Sequence, residues 1–242
     1  MNKIITRKVC LTRVIVVNRI LNKIKGKTYL EIGVNKGTTF EKIEVKNKIG
    51  VDPIIPAAER VKNILNKNIK YFQKTSNEFF SSKDKEIFKN NKIDVAFIDG
   101  LHEYKQVIRD VESCLDNLNE RGVLVLHDCN PLSKCNAICG PTLKEAQINA
   151  KNLGFSQGTG PWLGDVWKAI AHLRSKRDDL NIFVLDCDSG LGIITKGTPE
   201  NMLNYSIEDI EKMEYEDLEK DRKKILNLKY PKFFLNFLKR FD

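Results

Sequence analysis

No block of arginines with interleaved aromatics occurs in this chain, so nucleic-acid binding has little to stand on despite a net charge of +9 from 41 basic and 32 acidic residues. The excess is spread along a chain rich in Lys, Asn and Ile. It remains compatible with an acidic or phosphorylated substrate, or with an anionic membrane surface. Long hydrophobic runs are missing too. The N-terminal apolar run Val14 to Val17 is cut off from the residues before it by Arg13, and no small-residue cleavage site follows. That excludes a signal peptide and a membrane span and leaves a cytoplasmic protein as the expectation. Paired C-x2-C spacing is absent as well. The six cysteines, Cys10, Cys114, Cys129, Cys135, Cys139 and Cys187, read as reduced thiols. Cys129, Cys135 and Cys139 do cluster, but their C-x5-C-x3-C spacing fits no zinc or iron-sulfur pattern. What remains, 242 residues, suffices for one α/β domain with additions.

The chain is organised around Thr28 to Pro53, TYLEIGVNKGTTFEKIEVKNKIGVDP. Its ends, Thr28 to Ile32 and Lys48 to Val51, are short apolar runs of the kind buried parallel strands require, with a helix-length segment between them. This predicts a βαβ unit. Gly33 and Gly37 let a loop backbone approach a ligand, and Thr38 and Thr39 open the predicted helix. Asp52 closes the second strand 19 residues after Gly33, where a carboxylate can accept hydrogen bonds from a ribose diol. The G-x-G start that a pyrophosphate demands is absent, however. Glu31, at the carboxyl end of the first strand, would repel a diphosphate but attract an ammonium group. A nucleoside with an amino-acid tail fits both facts; the rival reading is a βαβ unit whose glycines merely serve a tight turn.

Before this unit, Val9, Val14, Val17, Ile20, Leu21 and Ile24 recur at helical spacing, predicting an N-terminal helix over 9–25 that Gly26 ends. After it, Pro53 and Pro56 make a turn, Ala57 to Asn66 reads as a helix and Ile69 to Gln73 as a third strand. Ser76 follows on a loop at the same sheet edge, either as a cofactor contact or as a helix N-cap. Ile93 to Ile98 is a fourth strand running into Asp99-Gly100-Leu101-His102-Glu103-Tyr104. A helix with Val107, Val111, Leu115 and Leu118 on its buried stripe comes next. Val123 to Leu126 is a fifth strand ending in His127-Asp128-Cys129-Asn130-Pro131. Parallel strands joined by right-handed crossovers put Glu31, Asp52, Ser76, Asp99, His102, His127 and Asp128 along one edge.

The blocks E-I-G-x-x-x-G-T-T, FIDGLHEY and GVLVLHDCNP, in this order over roughly Tyr29 to Pro131, resemble class I S-adenosylmethionine (SAM) methyltransferases. They look most like the subfamily acting on sugar and antibiotic hydroxyls. Asn35 stands where many members have a glycine. The resemblance implies a Rossmann-like methyltransferase fold: α/β, doubly wound, with a mainly parallel seven-stranded sheet and a final antiparallel hairpin. Helical additions flank it, giving segments 1–26, 27–200 and 201–242. It implies SAM contacts from Glu31, Gly33, Asn35, Gly37, Thr38, Asp52, Ser76 and Asp99. In metal-dependent relatives, acids at the positions of Asp99 and Asp128 hold a divalent ion such as Mg2+, while His127 occupies the place of a further acid. A sugar hydroxyl is a poor nucleophile, so either a base must take its proton or a metal must lower its pKa. His102 and His127 are the candidate bases, Asp99 joins them as a catalytic candidate, and a structural hydrogen bond is the rival for each histidine.

Farther on, Pro141 to Asn152 reads as a helix and Gly158 to Pro161 as an approach to Trp162-Leu163-Gly164-Asp165-Val166-Trp167. Trp162, Asp165 and Trp167 are candidate sugar-binding residues, since aromatic faces beside a carboxylate hold sugar rings. Core packing competes for Trp167 and helix-terminus charge for Asp165. Asn181 to Asp186 and Leu191 to Lys196 form the predicted hairpin, turning at Asp188-Ser189-Gly190. Ile207 to Leu226 reads as one charged helix. The tail Pro231 to Phe241, with Phe233, Phe234, Phe237, Leu238 and Phe241 on one side, could dock on the domain, on another subunit of an oligomer or on an anionic membrane. Three readings follow: a SAM-dependent O-methyltransferase of a small-molecule or glycan acceptor, a nicotinamide-dependent sugar enzyme, or a catalytically silent binding partner. The missing Tyr-x-x-x-Lys pair and the Glu31 loop weigh against the second. A scaffold has no need of Glu31, Asp52, Asp99 and Asp128 together.

Overall fold

The computed structural model describes residues 10–54, 66–155 and 161–242. The helix expected over 57–66 and the glycines at 158 and 160 lie outside the described residues, save Asn66. The chain runs α1 (Arg13–Ile24), β1 (Thr28–Ile32), β2 (Asn47–Val51), β3 (Ile69–Phe72), α2 (Ser76–Ser81), β4 (Ile93–Ile98), α3 (Tyr104–Asp116) and β5 (Leu118–Leu126). It continues through α4 (Leu143–Asn152), α5 (Val166–Lys176), β6 (Leu180–Leu185), β7 (Leu191–Lys196), α6 (Ile207–Lys212), α7 (Tyr215–Ile225), β8 (Leu228–Lys229) and α8 (Phe233–Leu238).

The strands form one sheet in the order β3-β2-β1-β4-β5-β7-β6-β8. The first five in the chain are parallel, and β7 alone runs against its neighbours β5 and β6. The predicted hairpin is therefore present. The sheet has eight strands rather than seven, because Leu228–Lys229 pairs in parallel with Val184 and Leu185 at the β6 edge. A two-residue strand leaves no alternation to read.

Period-2 alternation divides the strands between two cores. Leu30, Ala96, Ile98, Leu124 and Ile194 face one side, where α2, α3, α5, α6 and α7 pack. Tyr29, Val95, Phe97, Val125 and Phe183 face the other, where α1 contributes Val16, Val17, Ile20 and Leu21, and α8 contributes Phe234 and Phe237. The terminal additions thus supply helices for the second face of the sheet. In keeping with this, the helix predicted after Thr38 is only a 3-10 turn, Phe40–Lys42. Asn18 of α1 takes over its capping: its amide donates to the Lys42 carbonyl at 2.9 Å and its oxygen accepts from the Glu44 N–H at 2.8 Å. The single helix expected over 207–226 is two, parted at Met213 and Glu214, where the Asp217 carboxylate accepts from the Glu214 N–H and restarts the helix. Among the described residues, no helix is long and apolar enough to cross a membrane.

Candidate active site

The carboxyl ends of β1, β2, β4 and β5 meet at one edge, as a parallel sheet requires. On the β1–β2 side, Gly33 adopts φ 86°, and a Cβ there would stand 2.0 Å from the Asp99 carbonyl oxygen, so only glycine fits. Asn35 has φ 47° and Gly37 φ 75°. Asn is among the few residues that tolerate the left-handed region, so the loop keeps its bend at the position where a glycine was expected. The Asn35 N–H donates to Asp52 Oδ2 at 2.8 Å and the Ile54 N–H to Oδ1 at 2.7 Å. Each carboxylate oxygen has a second lone pair for a hydroxyl. Thr38 is exposed beside this loop.

Glu31 is buried and accepts from the Tyr29 hydroxyl at 2.5 Å. Burial pushes its carboxyl up to about 8, the Tyr29 hydrogen bond opposing and the Asp99 charge adding. Ser76 is not the N-cap that the sequence offered as an alternative. Thr75 holds that post in a capping box with Glu78, while the buried Ser76 hydroxyl accepts from Gln106 Nε2 of α3 at 3.1 Å. The donor set suits a SAM-like ligand: an acid oriented for a diol, a left-handed loop beside it, and a buried acid that a cation would recharge.

On the β4–β5 side the side chains converge tightly. His102 Nδ1 lies 2.8 Å from the Trp162 carbonyl oxygen. A carbonyl only accepts, so Nδ1 carries the proton and Nε2 is the free nitrogen. Nε2 stands 3.4 Å from Asp99 Oδ1 and 3.3 Å from Asp128 Oδ2. A bare lone pair facing two carboxylates is unfavourable, so the point between these atoms calls for a proton or a metal ion. Such separations suit ligands sharing an ion at about 2.0–2.2 Å. Asp99, His102 and Asp128 are the one group among the described residues with His, Cys or carboxylate ligand atoms mutually within 4.8 Å. Cys129, Cys135 and Cys139 form no such group; Cys129 is fully buried, which raises its thiol pKa.

Burial opposes the imidazolium form of His102, yet its pKa is raised overall by the hydrogen bond to Asp99 and the charges of Asp128 and Asp99. Burial of Asp99 works the other way and is overcome by the two imidazoles, which hold its carboxyl well below the usual range. His127 Nδ1 bridges Asp128 Oδ1 at 3.0 Å and Asp99 Oδ1 at 3.2 Å. Burial alone would depress it, but Asp128, Asp188 and Asp99 push it up to about 11. A cationic imidazole balances charge and has no lone pair with which to take a proton.

Two participants were not singled out from the sequence. Arg13, at the start of α1, donates from Nη1 to Asp99 Oδ2 at 3.3 Å and grips Asp188 through its backbone N–H at 2.6 Å, Nε at 3.2 Å and Nη2 at 3.1 Å. Asp188, at the hairpin tip, stands 3.6 Å from His127 Nε2. The signal was an arginine breaking an apolar helix face and an acid in a turn, each with an ordinary local explanation. The sequence also left His102 out of the metal set.

Of the proposed acceptor residues, Trp162 packs its ring 4.7 Å from that of His102 and donates from Nε1 to the Ile138 carbonyl. Asp165 accepts from the Tyr104 N–H at 2.6 Å and thereby caps α3, which has no side-chain cap of its own. Trp167 is 1% exposed, within the core. Asp165 and Trp167 also line a cleft of about 510 Å³ with Cys139, Lys168, Met213 and Tyr215.

Residues 30–129 match a family model described as a methyltransferase domain. It coincides with the blocks that carry the sequence resemblance. The uncharacterized protein R132 of Acanthamoeba polyphaga mimivirus is 32% identical over 113 residues, 42% of this chain and 51% of that protein. The chain thus spans about half the length of this curated relative. A putative O-methyltransferase from Klebsiella pneumoniae has a similar fold, with TM-score 0.51 at 10% identity over 75% of this chain and 78% of that one. An O-methyltransferase from Bacillus cereus in complex with SAH gives TM-score 0.48 at 14% identity, over 75% and 80%.

Proposed function

We propose that this chain is a SAM-dependent methyltransferase that methylates a hydroxyl of a sugar or other small hydroxylated acceptor, assisted by a divalent cation. The observation that carries the reading is the meeting, at one sheet edge, of the Gly33–Asn35–Gly37 loop and Asp52 with the triad Asp99, His102 and Asp128. SAM would supply a methyl group already activated by its sulfonium, so the protein's work is alignment and proton management. A hard divalent ion such as Mg2+ would supply Lewis acidity toward the acceptor oxygen.

Asp52 binds the ribose diol and Glu31 attracts the ammonium of the amino-acid tail, with Gly33, Asn35, Gly37 and Thr38 shaping the loop around it. Ser76 borders the nucleoside. Asp99, Asp128 and His102 would hold the ion, with His102 Nε2 left free for it by the Nδ1–H hydrogen bond to the Trp162 carbonyl. With no ion bound and at a pH above its raised pKa, the same nitrogen could instead receive the acceptor's proton, so His102 would serve as ligand or as base but not as both at once. Trp162 shields the site beside His102. Asp165 and the backing of Trp167 favour the adjoining cleft as the place for the rest of the acceptor.

Metal-stripped protein incubated with SAM and a panel of hydroxylated sugars, with and without added Mg2+, tests the reading. Methyl transfer that rises with Mg2+ in the wild type and is lost in Asp128→Asn supports it. Transfer indifferent to both would remove the ion from the account.

A further inference from the structure

Arg13 occupies an unusual post for the first residue of a surface helix. Its guanidinium points at the sheet edge, where Nη1 lies 3.3 Å from Asp99 Oδ2 and 3.4 Å from His127 Nδ1, while Nε and Nη2 grip both oxygens of Asp188. Asp99 therefore shows two different faces. Its Oδ1 turns toward His102 and His127, and its Oδ2 is covered by Arg13. Three carboxylates (Asp99, Asp128 and Asp188) share this pocket of charge with Arg13 and the two imidazoles. We propose that Arg13 is a positioning residue that acts through Asp99 as a resident counter-cation: it confines Asp99 to one metal-facing oxygen and opposes the charge of any divalent ion bound there.

This rests on the reading of Asp99, His102 and Asp128 as a cation site. Two physical effects follow from the same contact. By holding Oδ2, Arg13 keeps Asp99 monodentate and fixed in the absence of an ion, and Asp188 in turn fixes Arg13 through a bidentate pair. By placing a positive charge on the far side of a ligand carboxylate, it raises the cost of adding a second cation. The Arg13 side chain is 30% exposed, which screens but does not remove that repulsion. The site is thereby tuned toward weak, exchangeable ion binding. Loss of Arg13 should strengthen binding, a change that mere structural damage would not produce.

The test is Mn2+ alone, titrated into the full metal-stripped chain and followed by the electron paramagnetic resonance of free Mn2+, for wild type, Arg13→Gln, Arg13→Lys and Asp128→Asn. The expected result is affinity raised about tenfold in Arg13→Gln, as removal of a like charge a few Å away implies, and close to wild type in Arg13→Lys. Asp128→Asn should abolish binding. Wild-type binding that depends on Asp128 but is unchanged or weaker in a folded Arg13→Gln overturns the inference and leaves the cation site standing. Absence of Mn2+ binding from both wild type and Arg13→Gln overturns both, and SAM titration of the same preparations then judges the methyltransferase reading separately. Should Arg13→Gln fail to fold, Asp188→Asn keeps the arginine in place and turns its whole charge on Asp99. Mn2+ affinity should then fall severalfold, and an unchanged value counts against the inference.

Discussion

Asp52 accepts from two backbone N–H groups and keeps a lone pair on each oxygen, which the proposed reading assigns to a ribose diol. Hydrogen bonds to a charged acceptor contribute about 1.5–3 kcal/mol, so Asp52→Ala should weaken SAM binding by roughly ten- to a hundredfold in a calorimetric titration. Unchanged affinity would remove the ribose assignment. His102 gives a pH test with a definite sign. Its pKa is raised in the fold, and on the proposed reading a proton and the ion would compete for the same Nε2. Mg2+ affinity should therefore increase as pH rises through that raised value, inflecting above the ordinary imidazole range near 6.5, and His102→Asn should flatten the dependence. By the same linkage, protonated His102 stabilises the ion-free fold fully below that ordinary range, and this contribution is lost as pH rises through the raised pKa. Asp99 and Asp128 were legible as acids within two residues of the ends of apolar strands, and His102 as a histidine in the loop after β4, though not as a metal ligand. Arg13 was not, since its partners Asp99 and Asp188 lie 86 and 175 residues away, and only the closed fold brings α1 over the sheet edge.

Helix α3 begins without a side-chain cap of its own and borrows the carboxylate of Asp165 from the start of α5. Losing such a cap costs about 0.5–2 kcal/mol, so Asp165→Ala should lower stability by that amount in denaturant unfolding, even without an acceptor present. A variant of undiminished stability would argue that Asp165 serves the acceptor alone. At the other end of the chain, Phe237 is 1% exposed and meets Phe183 of β6 edge-on at 5.2 Å. Truncating a buried phenylalanine costs about 3–5 kcal/mol, and Phe237→Ala should show it as a lowered denaturation midpoint. A near-neutral result would detach the tail from the core. Short apolar runs foretold β1 and β4 to the residue. The segment after Thr38 misled because its length permits a helix, while Asn18 and the packing of Phe40 and Ile43 settle it as a single turn.

Across the whole molecule, the mainly parallel sheet and its lone reversed strand β7 match the doubly wound fold with a final hairpin expected from the sequence, and the terminal segments are built into that fold. The N-terminal helix and the C-terminal α8 pack on the second face of the sheet, and Leu228–Lys229 extends it by an eighth strand. Both were legible as helical additions, but where they dock depends on which sheet face lacks a helix, which no local pattern records. The central claim of the proposed reading is that the edge shared by Glu31, Gly33 and Asp52 takes SAM rather than a dinucleotide, because a buried acid ends β1 and the G-x-G start that a pyrophosphate demands is absent. Calorimetric titration of the folded protein with SAM and, separately, with NAD tests it most directly. Micromolar binding of SAM and none of NAD is the predicted result. Binding of NAD, or of neither ligand, would contradict the claim.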